Sequence, residues 1–289
     1  MYPWLLAAAL ACAITSANAN NVAIAALKAN HAALDERLQK NAFNRPLVIE
    51  SRETSNRVTG EIHAVINQPF TVVGKALNNP DHWCDVMSLP MNTKYCRAVT
   101  GPSGTVLKVN IGKKSAEALN DANRVECDYT VVDVTPQFFD IRLHAKSGPL
   151  GTSNYRIAME AIPISSSKTF LHLTYSYSVN FAGRLALQSY LATIGSGKVG
   201  FTRVGQQDGS APSYIDGVRG LIERNTMRYY LAINSFLESS TEAPPNRLEK
   251  RLQSWFSAIE MYPRQLHEME RGEYLAMKRD EYQRQQITE

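Results

Sequence analysis

The chain has 289 residues, of which 44% are apolar and 20% charged, and its formal net charge at pH 7 is +4. This length and apolar content suffice for one sizeable domain and an additional segment. The positive excess is too small and too diffuse to predict nucleic-acid binding. After the first 19 residues, no apolar run is long enough to predict a membrane span.

Residues 1–19 have the pattern of an export signal. An apolar run extends from Trp4 to Ile14, and Ala17-Asn18-Ala19 supplies a small-x-small cleavage pattern. The mature chain is predicted to begin near Asn20 and to be secreted, which in a Gram-negative cell means the periplasm. Lipidation at Cys12, after Ala9-Leu10-Ala11, is the alternative.

The first part of the mature chain is predicted to contain a helix over 22–39, strands over 47–53 and 57–66, and short helices over 69–77 and 80–87. Pro69 and Pro80 are placed as first-turn prolines of the two short helices. The first helix has one apolar stripe, formed by Ile24, Leu27, His31, Leu34 and Leu38.

A run of strands without an intervening helix follows. The predicted strands are 93–100, 105–111, 124–135, 137–146, 153–164 and 168–180. Their alternation predicts a dry face with Cys127, Tyr129, Val131, Phe139, Ile141, Leu143, Tyr155, Ile157, Met159, Leu171, Leu173, Tyr175 and Tyr177. It predicts a wet face with Arg124, Glu126, Asp128, Asp140, Arg142, His144, Arg156, Glu160 and His172. This pattern indicates an antiparallel meander.

Helices are predicted after the meander over 184–194 and 213–239. The second is long enough, about 40 Å, to cover the dry face of the sheet. Residues 244–289, beyond the predicted domain of residues 20–243, form a charged helical extension. Its apolar stripe comprises Leu248, Leu252, Trp255, Phe256 and Ile259. We expect this stripe to pack on the protein's own surface, with a partner protein or a membrane as alternatives.

Three cysteines remain after removal of the signal: Cys84, Cys96 and Cys127. In an oxidising compartment one pair is expected to be bonded and one thiol left over. His82, Cys84 and Cys96 lack the spacing and the fourth ligand of a zinc site. A structural disulfide is favoured over a metal site and over a nucleophilic cysteine.

Two further sequence patterns resemble functional sites. Residues 195–200 read G-x-G-x-x-G, but the segment lacks the preceding strand and following helix of a dinucleotide site, so we expect a mobile loop at a cavity mouth. His144 and Asp140 share the wet face of one strand, with Arg142 between them; such a pattern is typical of a solvated face rather than an acid–base site. No catalytic residue, metal or cofactor is predicted.

The order strand, two short helices, six antiparallel strands and long helix resembles the helix-grip fold of the START and Bet v 1-like (SRPBCC) superfamily. The resemblance is carried by 69–77, by Pro80-Asp-His-Trp-Cys84 to Met87, and by 213–239. It implies an α+β fold in which a curved antiparallel sheet of about seven to eight strands surrounds the C-terminal helix. The signal, the 182–207 insert and the extension depart from this pattern.

The resemblance implies an apolar cavity between the sheet and the long helix. The expected cavity residues are Tyr129, Leu143, Tyr155, Ile157, Met159, Tyr175, Tyr177, Ile222 and Tyr229. Buried tyrosine hydroxyls need hydrogen-bond partners, which a ligand or water can supply. A solid core with these hydroxyls at its rim is the alternative.

In the implied topology Cys84 and Cys96 lie on neighbouring elements, whereas a strand separates Cys96 from Cys127, so a Cys84–Cys96 disulfide is expected. The predicted function is that of a secreted binding protein for a lipid or other hydrophobic molecule, for transport or sensing. The alternatives are a polyketide cyclase or aromatase on the same fold, and an interaction protein that docks through its C-terminal helix.

Overall fold

A computed structural model describes residues 4–193, 195–205 and 213–287 of the chain. The α-helices are α1 (Trp4–Gln39), α2 (Phe70–Leu77), α3 (Pro80–Met87), α4 (Phe181–Ala192), α5 (Gly217–Ser239), α6 (Arg247–Glu260), α7 (Pro263–Leu266) and α8 (Arg271–Ile287). The strands are β1 (Leu47–Glu53), β2 (Arg57–Ile66), β3 (Thr93–Gly101), β4 (Gly104–Ile111), β5 (Asn123–Thr135), β6 (Phe138–Ser147), β7 (Thr152–Pro163) and β8 (Thr169–Val179).

All eight strands form one antiparallel sheet in the order β1-β2-β8-β7-β6-β5-β4-β3. Strand β2 pairs with β8, so the β1–β2 hairpin lies beside the last strand and β1 and β3 are the two edge strands. The predicted α+β helix-grip architecture is confirmed. Every strand boundary lies within one residue of its predicted position.

The inner face of the sheet, which faces α5, carries the main hydrophobic core. The register aligns Leu143 on β6 with Ile157 on β7, and Ile157 with Tyr175 on β8, so apolar side chains form rows across the strands. Val131 departs from the prediction: it is 43% exposed. The β5–β6 register shifts between Val131 and Asp133, and such a shift breaks the two-residue alternation.

Helix α5 packs on the inner face, against β1, β2 and β8. Gly60 on β2 allows this close approach, because a Cβ atom there would collide with the Thr226 hydroxyl on α5. The predicted start of this helix was wrong by four residues: residues 213–216 precede it, and Tyr214 pairs with Arg203 in an antiparallel bridge. Because α5 covers one end of the sheet, the inner face of the other strands remains available to line a cavity.

The outer face is less solvated than the alternation predicted. Helix α1 packs there and forms a second hydrophobic cluster of Leu27, Leu38, Val48, Phe138, Ile162 and Phe170. Two polar residues of the outer face are also buried: His63 is only 6% exposed and Asp140 only 3%. The apolar stripe predicted for the first helix is therefore the one that contacts the sheet.

The Cys84–Cys96 disulfide is confirmed, with the two Cα atoms 5.1 Å apart. Helix α3 begins where the Asn79 side chain accepts a hydrogen bond from Asp81 N, and it leads directly to β3. Cys127 is a free, buried thiol, and its burial raises its pKa to about 12. This thiol is therefore protonated and unreactive at neutral pH.

The C-terminal extension folds back on the domain as three helices. The side chains of Leu252, Trp255, Phe256 and Ile259 are buried, and α6 packs along α5. Trp255 stacks on Tyr274 of α8 at a ring distance of 5.2 Å, and the Tyr274 hydroxyl donates to Leu89 O. The stripe therefore lies against the protein itself; a partner protein at this extension stays a prediction.

Helix α1 begins at Trp4, so it extends through the predicted cleavage site, and the export signal itself stays a prediction. Within the described ranges, no helix combines the length and the apolar character that a membrane crossing requires.

Candidate functional site

A cavity of about 990 Å³ lies between the inner face of the sheet and α5. Strands β4 to β8 supply one wall, and Leu221, Arg224 and Tyr229 of α5 supply the opposite wall. The extension closes one end, where His267 to Glu270 follow α7. The cavity thus has walls from the domain and from the C-terminal extension.

Six of the nine predicted cavity residues line this space: Leu143, Tyr155, Ile157, Tyr175, Tyr177 and Tyr229. The other three, Tyr129, Met159 and Ile222, are buried in the surrounding core, outside the wall. Val109, Val125, Cys127 and Ala145 add further apolar surface from β4, β5 and β6. One end of the cavity is therefore suited to an apolar molecule.

Four tyrosines form a connected aromatic cluster in the cavity lining, three from the sheet and Tyr229 from α5. Tyr155 stacks on Tyr177 at 5.3 Å, and Tyr175 contacts both Tyr177 and Tyr229, at 6.0 and 5.2 Å. Burial raises the pKa of all four phenols, so they are neutral hydrogen-bond donors at pH 7. The Tyr155 hydroxyl hydrogen-bonds to Thr152 Oγ1 at 2.5 Å. The Tyr177 hydroxyl is buried and has no hydrogen-bond partner in the described chain.

The opposite end of the cavity is charged. Glu268 accepts hydrogen bonds from Arg228 Nη2 at 2.6 Å and pairs with Lys114 Nζ at 2.7 Å. Burial alone would raise the pKa of Glu268, but the two cations hold it below its usual value. Desolvation lowers the pKa of Lys114 and of Arg228, and the charge of Glu268 opposes both shifts.

Arg224 lies one helical turn before Arg228 and also lines the cavity. It is only 2% exposed, and desolvation together with the Arg228 charge lowers its pKa to about 10. Its Nη1 donates to Val199 O at 3.3 Å, whereas its Nε is buried without a partner among the described residues. Arg224 is therefore a cation that the described protein groups satisfy only in part.

The sequence patterns described above do not predict this charged end of the cavity. The sequence signal for it is the pair Arg224 and Arg228, which lie four residues apart on one face of a helix whose other residues on that face pack into the core. The segment 195–200, which is predicted to be a loop at the cavity mouth, lies against the charged end of the cavity. Lys198 Nζ donates a hydrogen bond to His267 O, and Val199 O accepts one from Arg224.

The polar residues of β6 face away from the cavity. Asp140 accepts two hydrogen bonds from Arg142, at 3.1 and 2.6 Å, and His144 Nε2 lies 3.1 Å from Asn154 Oδ1. The intervening residues Leu143 and Ala145 are the ones that point inward, since they line the cavity. In the described ranges, no group of three His, Cys, Asp or Glu side chains is placed to hold a metal ion.

No family model matches the chain, and a search of curated proteins found no similar sequence. Solved structures with a similar fold include a conserved protein from Geobacillus kaustophilus (14% identity, TM-score 0.37, covering 63% of this chain and 96% of that one). A START superfamily protein from Mycobacterium smegmatis matches at 9% identity and TM-score 0.32, covering 44% and 79% of the two chains. The Zhui aromatase/cyclase from Streptomyces sp. R1128 matches at 13% identity and TM-score 0.31, and the match covers 69% of this chain and 94% of that one. With TM-scores below 0.5 these likenesses carry no argument about activity, and the helix-grip assignment rests on the strand order and on the packing of α5.

Proposed function

We propose that the protein binds one hydrophobic small molecule, such as a lipid, in the cavity between the sheet and α5, as a carrier or a sensor. The observation that supports this is the cavity of about 990 Å³ whose sheet wall is aromatic and aliphatic. A space of this size is within the range of small-molecule sites, which are mostly apolar with a few polar groups. A protein with a purely structural core has no need of such a space.

The proposed location is outside the cytoplasm, in the periplasm if the cell is Gram-negative. The Cys84–Cys96 disulfide supports an oxidising compartment. The α1 residues that pack on the outer face include Leu27 and Leu38, which remain in the chain after cleavage at Ala19. Mass spectrometry of the protein isolated from its own cells tests this, because an N-terminal peptide beginning at Met1 would contradict export by cleavage.

Binding is tested with N-phenyl-1-naphthylamine, an uncharged apolar fluorophore, and by native mass spectrometry followed by organic extraction. The protein is expected to bind the fluorophore at one saturable site and to carry an extractable apolar molecule. Absence of both would contradict the proposal.

The Ala145→Phe variant locates the site. Ala145 lies on the inner face of β6 and lines the cavity, so a phenyl ring there is expected to take up part of the space that a ligand would occupy. Ala158→Phe is the matched control, because Ala158 pairs with Arg142 and belongs to the outer face. We expect the first variant to lose most fluorophore affinity and the second to retain it; equal losses would place the fluorophore elsewhere.

A further inference from the structure

Two buried polar atoms of cavity-lining residues have no hydrogen-bond partner among the residues that the structure describes. They are Nε of Arg224 on α5 and the hydroxyl of Tyr177 on β8, and both residues line the cavity. Buried polar groups are nearly always hydrogen-bonded, and a buried charge without a counter-charge is costly. Two such atoms in the wall of one cavity therefore indicate a ligand group that satisfies both.

The two groups lie close enough to influence each other electrostatically. Burial raises the pKa of Tyr177, and the positive charge of Arg224 opposes this rise. Both groups are hydrogen-bond donors at neutral pH, since the guanidinium is charged and the phenol is protonated. The ligand group between them must accept hydrogen bonds.

Among the described residues, no carboxylate hydrogen-bonds to Arg224 Nε. Glu268, which acts on Arg224 through its charge, is already bound to Arg228 and Lys114. Glu223, adjacent to Arg224 in sequence, accepts hydrogen bonds from Ser51, from the backbone of Phe201 and from Thr202. The charges of Arg228, Lys114 and Lys198 all lower the pKa of Glu268, so several cations share this carboxylate. The other carboxylates of the cavity lining are those of Glu117, Asp121, Glu270 and Glu273.

We propose that the hydrophobic ligand carries an anionic headgroup, a carboxylate, sulfonate or phosphate, which accepts hydrogen bonds from Arg224 Nε and the Tyr177 hydroxyl. This inference rests on the proposed binding function and adds the chemical class of the ligand. The apolar part of the same molecule lies along Leu143, Ala145 and Ile157. An anionic amphiphile matches both the apolar and the charged residues of the cavity lining, and its headgroup supplies an acceptor for Arg224 Nε.

The test uses N-phenyl-1-naphthylamine as reporter and two competitors with the same tail, decanoate and 1-decanol, on the full-length mature protein. The measured quantity is the ratio of their displacement constants. In Arg224→Met, the affinity for decanoate relative to decanol is expected to fall about 10-fold or more, since a hydrogen bond to a charged group is lost. The Arg124→Met variant removes an exposed cation and is expected to leave the ratio unchanged.

Tyr177→Phe is the second variant, because it removes only the hydroxyl and preserves the packing. It is expected to lower the same ratio about 2- to 10-fold. If the reporter binds to the wild type and both variants leave the ratio unchanged, the headgroup inference is overturned while the cavity function stands. If the reporter does not bind to the wild type, the binding function itself is overturned.

Discussion

Lys94 of β3 and Glu281 of α8 form a buried ion pair, with Nζ and Oε1 3.0 Å apart. The other Glu281 oxygen accepts a hydrogen bond from Lys278 at 2.8 Å, so one carboxylate compensates two buried ammonium groups. The lysines also donate to backbone carbonyls, Lys94 to Met91 and Ser115 and Lys278 to Pro90 and Thr93. Desolvation lowers the pKa of Lys278 to about 8, although Glu281 raises it. This cluster fixes the last helix to the edge of the sheet.

We expect Glu281→Gln to lower the free energy of unfolding by about 3–5 kcal/mol, because it leaves two buried lysines without a counter-charge. The measurement is urea denaturation at pH 7. Glu249→Gln is the control: Glu249 of α6 pairs with Arg279 of α8 at 2.7 Å, but both side chains are about half exposed. Its cost is expected to be at most about 1 kcal/mol. Similar losses in the two variants would contradict the buried character of the Lys94–Glu281 pair.

Local sequence signals were sufficient for the strands and for the helix boundaries around α3. Two-residue alternation and turn residues are properties of neighbouring positions, so β1 to β8 were predicted within one residue. The aromatic wall followed from the same parity, which placed Tyr155, Tyr175 and Tyr177 on one face. The parity prediction was wrong at Val131, where a bulge shifts the register.

The charged end of the cavity depends on contacts between distant parts of the chain. Glu268 accepts a hydrogen bond from Arg228, which lies 40 positions earlier in the sequence, and it forms an ion pair with Lys114 of the loop after β4. Periodicity within one helix says nothing about such partners. The burial of His63 could not be predicted from local sequence either, because it depends on the packing of α1 against the outer face of the sheet.

The disulfide is expected to contribute about 2–4 kcal/mol to stability, since it closes a short loop in the unfolded chain. Cys84→Ser/Cys96→Ser is expected to show this loss in urea denaturation, while Cys127→Ser, which has no disulfide to lose, changes stability by less. Non-reducing peptide mapping is expected to recover a Cys84–Cys96 peptide, with Cys127 alkylated only after unfolding. A Cys96–Cys127 peptide would contradict the topology of β3, β4 and β5.

Stability is expected to fall at mildly acidic pH because of His63. Its ring stacks on His172 at 4.2 Å, and desolvation, followed by the charge of His172, lowers its pKa from 6.5 to about 4. Between these two values the unfolded chain binds a proton that the folded protein does not, so the free energy of unfolding decreases as the pH falls. At pH 5 the expected loss relative to pH 7.5 is about 1–2 kcal/mol from this group.

Urea denaturation of His63→Phe at both pH values measures this contribution, since phenylalanine preserves the stacking on Phe170 and does not titrate. We expect the variant to lose about 1–2 kcal/mol less than the wild type between pH 7.5 and pH 5. His144→Phe, at a more exposed position of the outer face, is expected to behave as the wild type does. An unchanged pH dependence in His63→Phe would show that the buried imidazole does not cause the loss.

Truncation after Ala243 is expected to damage both stability and ligand binding. It removes Trp255, Phe256 and Tyr274 from the core, and burial of each such side chain contributes roughly 1.5–3 kcal/mol. It also removes Glu268 and Met269 from the cavity wall and leaves Arg228 without its carboxylate. We therefore expect a lower unfolding temperature, a tendency to aggregate, and weaker binding of N-phenyl-1-naphthylamine.

A chain nicked at an engineered protease site between Ala243 and Pro244 is the matched control, because it breaks the same connection but retains every contact. The two pieces are expected to stay associated through α6 and α8 and to bind the fluorophore as the intact protein does. Calorimetry and size-exclusion chromatography compare the three forms. A truncated protein as stable and monodisperse as the intact one would mean that the stripe around Trp255 is not needed by the domain and serves contact with another molecule.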